Sequence, residues 1–157
     1  MKKTKEAATA ILAKNKKAYH DYEILDTYEA GMALNGDEVK AIKNHQANLK
    51  GSFVDIEKDE AYINEMHVSR YKFSSRIEYN PTRKRKLLLH KKQILKIDQE
   101  ISQKGITAIP LELYSKNGRV KAKIGICRGK KLHDKRETLK KRAQEMEIKK
   151  QLKRFQP

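Results

Sequence analysis

The sequence predicts a mainly β fold: a small antiparallel β-barrel with flanking helices and a flexible basic C-terminal tail. Strict alternation is the first observation, because Val120, Ala122, Ile124 and Ile126 face one side of a strand whose other side is cationic. Short strand-like segments bounded by turn residues are the second. The third is the end of the alternation at Cys127, where charge continues without apolar residues to bury. We therefore predict an arm at 1–17, a barrel domain at 18–129 and a tail at 130–157.

Composition indicates an anionic partner. The chain has 157 residues, enough for one domain with extensions. Charged residues make up 36% of it, and the formal net charge is +17. The segment from Arg128 to Pro157 contributes 12 Lys and Arg against 4 Asp and Glu. Repulsion among so many positive charges costs stability, and an anionic partner would relieve it. Nucleic acid is the first candidate and a membrane surface the second.

The N-terminal segment and the cysteine content favour a cytoplasmic protein. Cys127 is the single cysteine of the chain, which excludes an intrachain disulfide and fits a reducing compartment, and its strand position predicts a packed thiol. No apolar run approaches the roughly 20 residues that span a bilayer. Met1–Ala13 resembles a secretory signal only faintly, because its apolar part is short and lysines follow at once. We expect a flexible or weakly helical arm there.

The first half of the chain predicts strands around one short helix. Tyr19–Met32 alternates as a long strand, with Gly31 allowing a bulge. Gly36-Asp37-Glu38 opens a helix over Val39–Asn44, because acidic residues suit the first turn of a helix. Strands at Asn48–Glu57 and Glu60–His67 follow, joined by a turn at Lys58-Asp59, and Arg70–Tyr79 is predicted as a loop. Candidate core residues in these strands are Phe53, Ile56, Tyr62 and Met66.

A long helix is predicted after the loop. Asn80 is a suitable N-cap before Pro81, and Gly105 a suitable stop. Leu87, Ile94 and Ile101 recur every seven residues, with Leu88 and Leu95 in a second row, which predicts an apolar stripe on a helix of about twenty residues.

The remaining segments complete the barrel. Ile106–Tyr114 is predicted as a strand that Pro110 interrupts, so it lies at an edge or carries a bulge. Lys116-Asn117-Gly118 is a hairpin turn into the alternating strand. Five or six antiparallel strands with a short and a long helix favour the oligonucleotide-binding type of barrel.

The tail has two apolar faces rather than one. On a helix, Leu139, Ala143 and Met146 share one side, and Ile148, Leu152 and Phe155 share the opposite side. Such a segment cannot dock as an ordinary core helix, so we expect it to fold on a partner.

Residues suited to RNA contact are more evident than catalytic ones. The five histidines lack metal-ligand spacing, and phosphate loops and nucleophile motifs are absent, so no catalytic residue, metal or cofactor is predicted. A nuclease would need clustered acids, and the acids from Asp55 to Glu60 are interpreted as a solvated turn. Lysines neutralise phosphates while Tyr and His rings stack on bases. The candidates are Asn15, Lys16, Lys17, His20, Tyr22, Lys121 and Lys123.

Five motifs make the chain resemble the SsrA-binding protein family, also called small protein B. They are Asn15–Tyr22, Tyr28–Gly31, Gly36–Lys40, Pro81–Leu89 and Lys123–Arg136 without Ile126–Arg128, in the family's order and spacing. The resemblance implies an oligonucleotide-binding-type barrel that binds the tRNA-like domain of transfer-messenger RNA and carries it to stalled ribosomes.

The resemblance also implies roles for individual residues. Glu29, Leu88 and Lys121 match positions that the family uses for this RNA: Glu29 positions donors or accepts from a base or ribose, and Leu88 shapes a platform. The tail, disordered when free, enters the small-subunit decoding site and the empty mRNA channel of the ribosome. Its expected ribosome-engaging residues are Lys130, Lys131, His133, Asp134, Lys135, Arg136 and Leu152. We expect a monomeric cytoplasmic adaptor that binds no membrane; the alternatives are a ribosomal or assembly protein and, as an enzyme, a nuclease.

Overall fold

The architecture combines strands and helices as predicted. The structure, a computed structural model, describes residues 10–75, 78–130 and 132–154. Along these ranges the elements are β1 (Ala10–Lys14), α1 (Lys16–Asp21), β2 (Tyr22–Met32), α2 (Gly36–Lys43), β3 (Ala47–Asn48), β4 (Phe53–Glu57), β5 (Glu60–Asn64), β6 (His67–Val68), β7 (Arg85–Leu88), α3 (Lys91–Ile101), β8 (Ile106–Lys116), β9 (Arg119–Gly129) and α4 (Leu132–Arg154).

The main sheet is antiparallel and is organised around its two longest strand pairs. Its strand order is β1-β8-β4-β5-β7-β2-β9, and β8 additionally pairs with β9. β9 therefore has β2 on one side and β8 on the other, whereas β1 and β4 pair with different parts of β8. β3 and β6 form a separate two-stranded sheet. In this arrangement Lys123 lies opposite Glu29 of β2 and Glu112 of β8, so cationic and acidic residues alternate across the three strands.

Both predicted hairpin turns are confirmed. Lys58 and Asp59 have φ of 48° and 62°, and Asn117 and Gly118 have φ of 53° and 75°. Two consecutive left-handed residues are what a two-residue antiparallel hairpin requires, because this turn matches the twist of the flanking strands. The second turn joins β8 to β9 and fixes the register of their pairing.

Burial confirms the alternation in β9. Val120, Ala122, Ile124 and Ile126 are at most 7% exposed and lie in the main core. Cys127 is buried in a second, smaller core with Ala18, Ile109 and Leu111, as predicted for a packed thiol. Burial raises the pKa of the Cys127 thiol to about 11. The second core attaches α1 to β8 and β9.

The predicted long helix is wrong. Its first part is strand β7, which pairs with β5 and β2, and only Lys91–Ile101 is helical. The N-cap of this helix is His90 rather than Asn80, and the His90 backbone N–H donates to Gln93 Oε1 at 3.1 Å. Leu87 and Ile94 are both buried, as the apolar stripe predicted, but Leu87 belongs to strand β7 and Ile94 to helix α3.

The N-terminal arm and the first strand also need correction. Ala10–Lys14 is a strand paired with β8, not a flexible or weakly helical segment. The predicted strand from Tyr19 begins only at Tyr22, because Asn15 caps a short helix over Lys16–Asp21. Residues 1–9 lie outside the described ranges. The short helix after Gly36 and the bulge in β8 beside Pro110 are confirmed.

Two predicted core residues face outward instead. Phe53 is 43% exposed, while the neighbouring Val54 is buried. Tyr62 is half-buried, between the buried Ala61 and Ile63. In both strands the aromatic residue occupies the outer position of the two-residue alternation, because the inner positions are taken by Val54, Ala61 and Ile63. Met66 is buried as predicted, and Ile56 packs partly against the core.

Candidate nucleic-acid interface

Three strands bring Leu88, Gly31 and Lys121 together on the outer side of the sheet. Gly31 pairs with Leu88 of β7 on one side and with Lys121 of β9 on the other. Leu88 is 54% exposed. A Cβ at position 31 would lie 3.3 Å from Leu88 Cβ, so the glycine leaves room for the leucine to lie over the sheet. The result is an apolar platform beside a lysine. We call the surface formed by Gly31, Leu88, Lys121, Glu29 and Lys123 the sheet face.

Glu29 is held in one orientation on the sheet face. Tyr114 Oη donates to Glu29 Oε2 at 2.5 Å, and Lys116 Nζ donates to the same oxygen at 3.3 Å. Glu29 also lies opposite Lys123 in the β2–β9 register. The hydrogen bond from Tyr114 and the charge of Lys116 lower the pKa of Glu29, so the group is an anionic acceptor at neutral pH. A carboxylate so placed can accept from a ribose hydroxyl or a base donor.

A shallow cleft extends the sheet face toward the β8–β9 turn. Its volume is about 240 Å³, and its lining includes Gly31, Leu88, Arg119 and Lys121. Gly31 and Tyr114 were not among the predicted site residues. Tyr114 gave no local signal, because its role depends on a contact with Glu29, 85 positions earlier in the chain.

A second cationic surface surrounds α1. Lys16 and Lys17 are exposed, as predicted, and with Lys14 and Lys50 they border a depression of about 300 Å³. Lys14 Nζ lies 5.2 Å from the centroid of the Tyr19 ring. Tyr19 Oη donates to Glu112 Oε1 at 3.0 Å, which fixes the ring. We call the four lysines the α1 ridge.

Asn15, His20 and Tyr22, three of the predicted RNA-binding residues, make contacts within the protein. Asn15 is 5% exposed: its Oδ1 accepts from the Ala18 N–H at 3.1 Å, and its Nδ2 donates to the carbonyls of Leu49 and Pro110, each at 3.2 Å. Asn15 therefore holds the start of α1 against the Leu49 turn and β8, and its contact with RNA stays a prediction. His20 Nδ1 lies 2.7 Å from Asp21 Oδ1, and Tyr22 packs partly against the second core.

The tail leaves the body beside α1. The Lys130 backbone N–H donates to the Asp21 carbonyl at 2.9 Å, and Lys130 Nζ donates to the Tyr19 carbonyl at 3.3 Å. Arg136 is exposed on α4. Lys131 lies outside the described residues, as do the side chains of His133, Asp134, Lys135 and Leu152, whose backbone belongs to α4.

A buried ionic cluster ties α2 to the start of β7 and to Arg83 just before it. Both Glu38 and Arg85 have fully buried side chains, and Arg85 Nε donates to Glu38 Oε2 at 2.5 Å. Arg83 also donates to this carboxylate, while Arg85 Nη1 donates to the Met66 carbonyl at 2.7 Å. Burial raises the pKa of Glu38, but the hydrogen bonds from Arg83, Asn35 N–H and Arg85 outweigh it, and the net shift is downward.

In residues 10–75, 78–130 and 132–154, no group of three or more His, Cys, Asp or Glu is arranged to hold a metal ion. Over the same ranges, no helix has the length and apolar character needed to cross a membrane.

Comparison with known proteins identifies the family. The model of the family described as SmpB protein matches residues 12–154. The chain belongs to the SmpB family. Its relatives include the SsrA-binding protein of Staphylococcus haemolyticus, 48% identical over 147 residues, covering 94% of this chain and 93% of the relative. The SsrA-binding protein of Mycoplasma mycoides subsp. mycoides is 53% identical over 133 residues, covering 84% and 90%.

A solved SmpB structure has the same fold. It is described as "tmRNA-SmpB: a journey to the center of the bacterial ribosome" and superposes with a TM-score of 0.67 at 42% identity. The match covers 78% of this chain and 87% of the solved chain. It supports the mainly β architecture with helices that the strand pairings describe.

Proposed function

We propose that this SmpB-family chain is an RNA-binding adaptor, without catalytic activity, that binds the tRNA-like domain of transfer-messenger RNA and delivers it to stalled ribosomes. The observation that carries the proposal is the sheet face, on which an exposed leucine, an oriented carboxylate and two lysines adjoin. Its relatives are SsrA-binding proteins, and its solved neighbour is described with tmRNA and the bacterial ribosome.

The chemistry of the sheet face suits a folded RNA. Lys121 and Lys123 neutralise phosphates, which contributes affinity without reading sequence. Leu88 offers an apolar surface for an unstacked base or a ribose. Glu29 would accept from a 2′-hydroxyl, a donor that RNA has and DNA lacks. Such a combination recognises shape and backbone rather than a base sequence.

The tail has the separate task of engaging the small-subunit decoding site and the empty mRNA channel. Lys130, Lys131, His133, Asp134, Lys135, Arg136 and Leu152 would make these contacts. We propose that the tail is disordered in the free protein and adopts the α4 helix on the ribosome, because Leu139, Met146 and Ile148 are more than half exposed on α4. The adaptor would act as a monomer in the cytoplasm.

We also propose that the main sheet closes as an oligonucleotide-binding-type barrel. The support is the pairing of β9 with both β2 and β8, which closes the six strands from β8 to β9 in the strand order into a ring and leaves β1 paired to β8 beside it. Closure leaves those six strands fewer exposed edges and keeps the outer residues of β7, β2 and β9 in a fixed register.

The decisive experiment compares two RNAs over a salt series. Binding of the purified chain to the tRNA-like domain and to an elongator tRNA is measured by filter binding. Six phosphate contacts would give a slope of about −5 in log affinity against log salt. Lys121→Gln should weaken binding and reduce this slope by about 1, whereas Lys92→Gln, an exposed lysine on α3, should change neither.

Preference for the tRNA-like domain with a steep slope supports the adaptor. A steep slope without preference would contradict it and favour the alternative, a basic ribosomal or assembly protein. Such a protein would also sediment stoichiometrically with ribosomal subunits, whereas an adaptor would be substoichiometric.

A further inference from the structure

A second cleft lies where α1, the turn before β4 and the first residues of β8 meet. Its volume is about 380 Å³, within the size range of small-ligand sites. The buried Ala18 and Ile109 contribute apolar lining, and the half-buried Tyr22 and the exposed Phe53 complete it. It shares no lining residue with the cleft at the sheet face.

Phe53 gives this cleft an aromatic surface that is open to solvent. The ring is 43% exposed, although Val54 beside it is almost completely buried. Stacking of an unpaired base on an aromatic side chain changes affinity about 5- to 150-fold per base. An exposed phenylalanine in a concave, partly apolar site of a basic chain is suited to this role.

The charges around the cleft favour a nucleotide over a neutral ligand. Lys17 and Lys50 belong to its lining and are exposed. Both also border the depression of the α1 ridge, so a phosphate at the cleft would meet cations that continue along the chain's surface. Asp21 lines the cleft as well, and its carboxylate, which pairs with His20, is an acceptor for a base amino group.

The two walls of the cleft are fixed to each other before any ligand binds. The Leu49 carbonyl accepts from Asn15 Nδ2 at 3.2 Å, from Ser52 Oγ at 2.5 Å and from the Ser52 N–H at 3.0 Å. The Lys50 N–H donates to Asn48 Oδ1 at 2.9 Å. Since Asn15 also caps α1, one side chain locks the turn that carries Lys50 to the helix that carries Lys17. Preorganisation of this kind lowers the entropic cost of binding.

We propose that this cleft binds a single unpaired nucleotide of the partner RNA, with the base stacked on Phe53 and the phosphate between Lys17 and Lys50. The proposal takes only its ligand class from the function proposed above. It adds a contact at the root of the tail, because the Asp21 carbonyl accepts from the Lys130 N–H.

The test is a nuclear magnetic resonance titration of the ¹⁵N-labelled full chain with adenosine 5′-monophosphate. Saturable shift changes are expected at Lys17, at Lys50–Phe53 and at Thr107, another lining residue. Phe53→Ala should weaken binding at least about 5-fold, whereas Phe53→Tyr should retain it. Phe73→Ala, which removes a phenylalanine that is 75% exposed outside the cleft, is the matched control and should have no effect.

Three outcomes would overturn the proposal: shift changes centred on the sheet face, equal binding by wild type and Phe53→Ala, or equal shifts with ribose 5-phosphate. The last would identify an anion site without base stacking. Binding of the tRNA-like domain is measured separately, so a lost RNA preference would contradict the adaptor function and leave the nucleotide result standing on its own.

Discussion

At residue scale, Glu38 combines two tasks in one carboxylate. It accepts from the Asn35 N–H at 3.1 Å, which completes the cap of α2, and it pairs with Arg83 and Arg85. From the sequence, Glu38 could be placed only in the first turn of a helix. Its burial could not be predicted, because the two arginines lie 45 and 47 positions later and meet it only in the folded chain.

Glu38→Gln should reduce the free energy of unfolding by about 3–5 kcal/mol at neutral pH, because it leaves the buried Arg85 charge without its partner. Chemical denaturation measures the loss. Glu23→Gln, which interrupts the exposed pair with Arg128, is the control and should have little effect.

The wild type and Glu38→Gln should also differ in how their free energies of unfolding depend on pH. The pKa of Glu38 is lower in the folded state than its ordinary value of 4.5, so its contribution is complete above that value and falls as acid protonates the folded carboxylate. The wild type should therefore lose its advantage over Glu38→Gln as the pH falls below about 4.5. A constant difference across that range would contradict this assignment.

Gly125 is a second residue whose identity affects stability, because the core has no space for a Cβ atom there. A Cβ there would lie 2.6 Å from Leu111 Cδ1 and 2.9 Å from Leu111 Cγ, and Leu111 is fully buried. Gly125→Ala should destabilise the chain by about 1–3 kcal/mol through overpacking. Gly129→Ala in the same strand meets nothing within 4 Å and should melt like the wild type. Equal melting temperatures for both variants would show that Leu111 moves aside at no cost.

At element scale, the helices and strands whose determining residues all lie within a short stretch of sequence were predicted well. β9 combines a two-residue alternation with a glycine-containing turn, and α2 has acidic residues in its first turn, so the information lies within about ten residues. β7 has no such signal: Leu87-Leu88-Leu89 suits a helix or a strand, and pairing with β5 and β2 decides between them. β1 depends likewise on β8, about a hundred positions later in the chain.

The tail should be dispensable for folding. α4 carries Leu139, Met146 and Ile148 at 52% to 63% exposure, so these side chains contribute little to the core. Truncation after Gly129 should leave a cooperative thermal transition in circular dichroism, with a midpoint near that of the full chain. Absence of a transition would show that the tail is structural.

At the scale of the whole molecule, cations lie on the sheet face, on the α1 ridge and along the tail. Lys121 and Lys123 could be predicted as a surface because alternation places them on the outer side of one strand. The α1 ridge could be predicted only in part, because Lys50 joins Lys16 and Lys17 through the hydrogen bonds of Asn15. The sheet-face contact of Tyr114 depends on strand register and gave no signal.

These surfaces should be separable by function. Neutralising Lys130, Lys131, Lys135 and Arg136 should spare binding of the free tRNA-like domain but abolish trans-translation, the tagging of incomplete proteins on stalled ribosomes that we expect the proposed adaptor to support. Neutralising the exposed Lys58, Lys91, Lys92 and Lys104 removes the same charge from the body and should leave tagging intact. An equal loss of RNA binding and tagging in the tail variant would contradict this division.

The attachment of α4 limits how accurately each part of the tail can be aimed. With 23 residues, the helix is about 35 Å long, so a tilt of about 10° at its root moves its far end by about 6 Å. The backbone bond from Lys130 to Asp21 holds only the near end. Displacement therefore grows with distance from the attachment point. The first two turns suit contacts that need ångström accuracy, and the distal turns suit contacts that tolerate displacement, such as charge attraction.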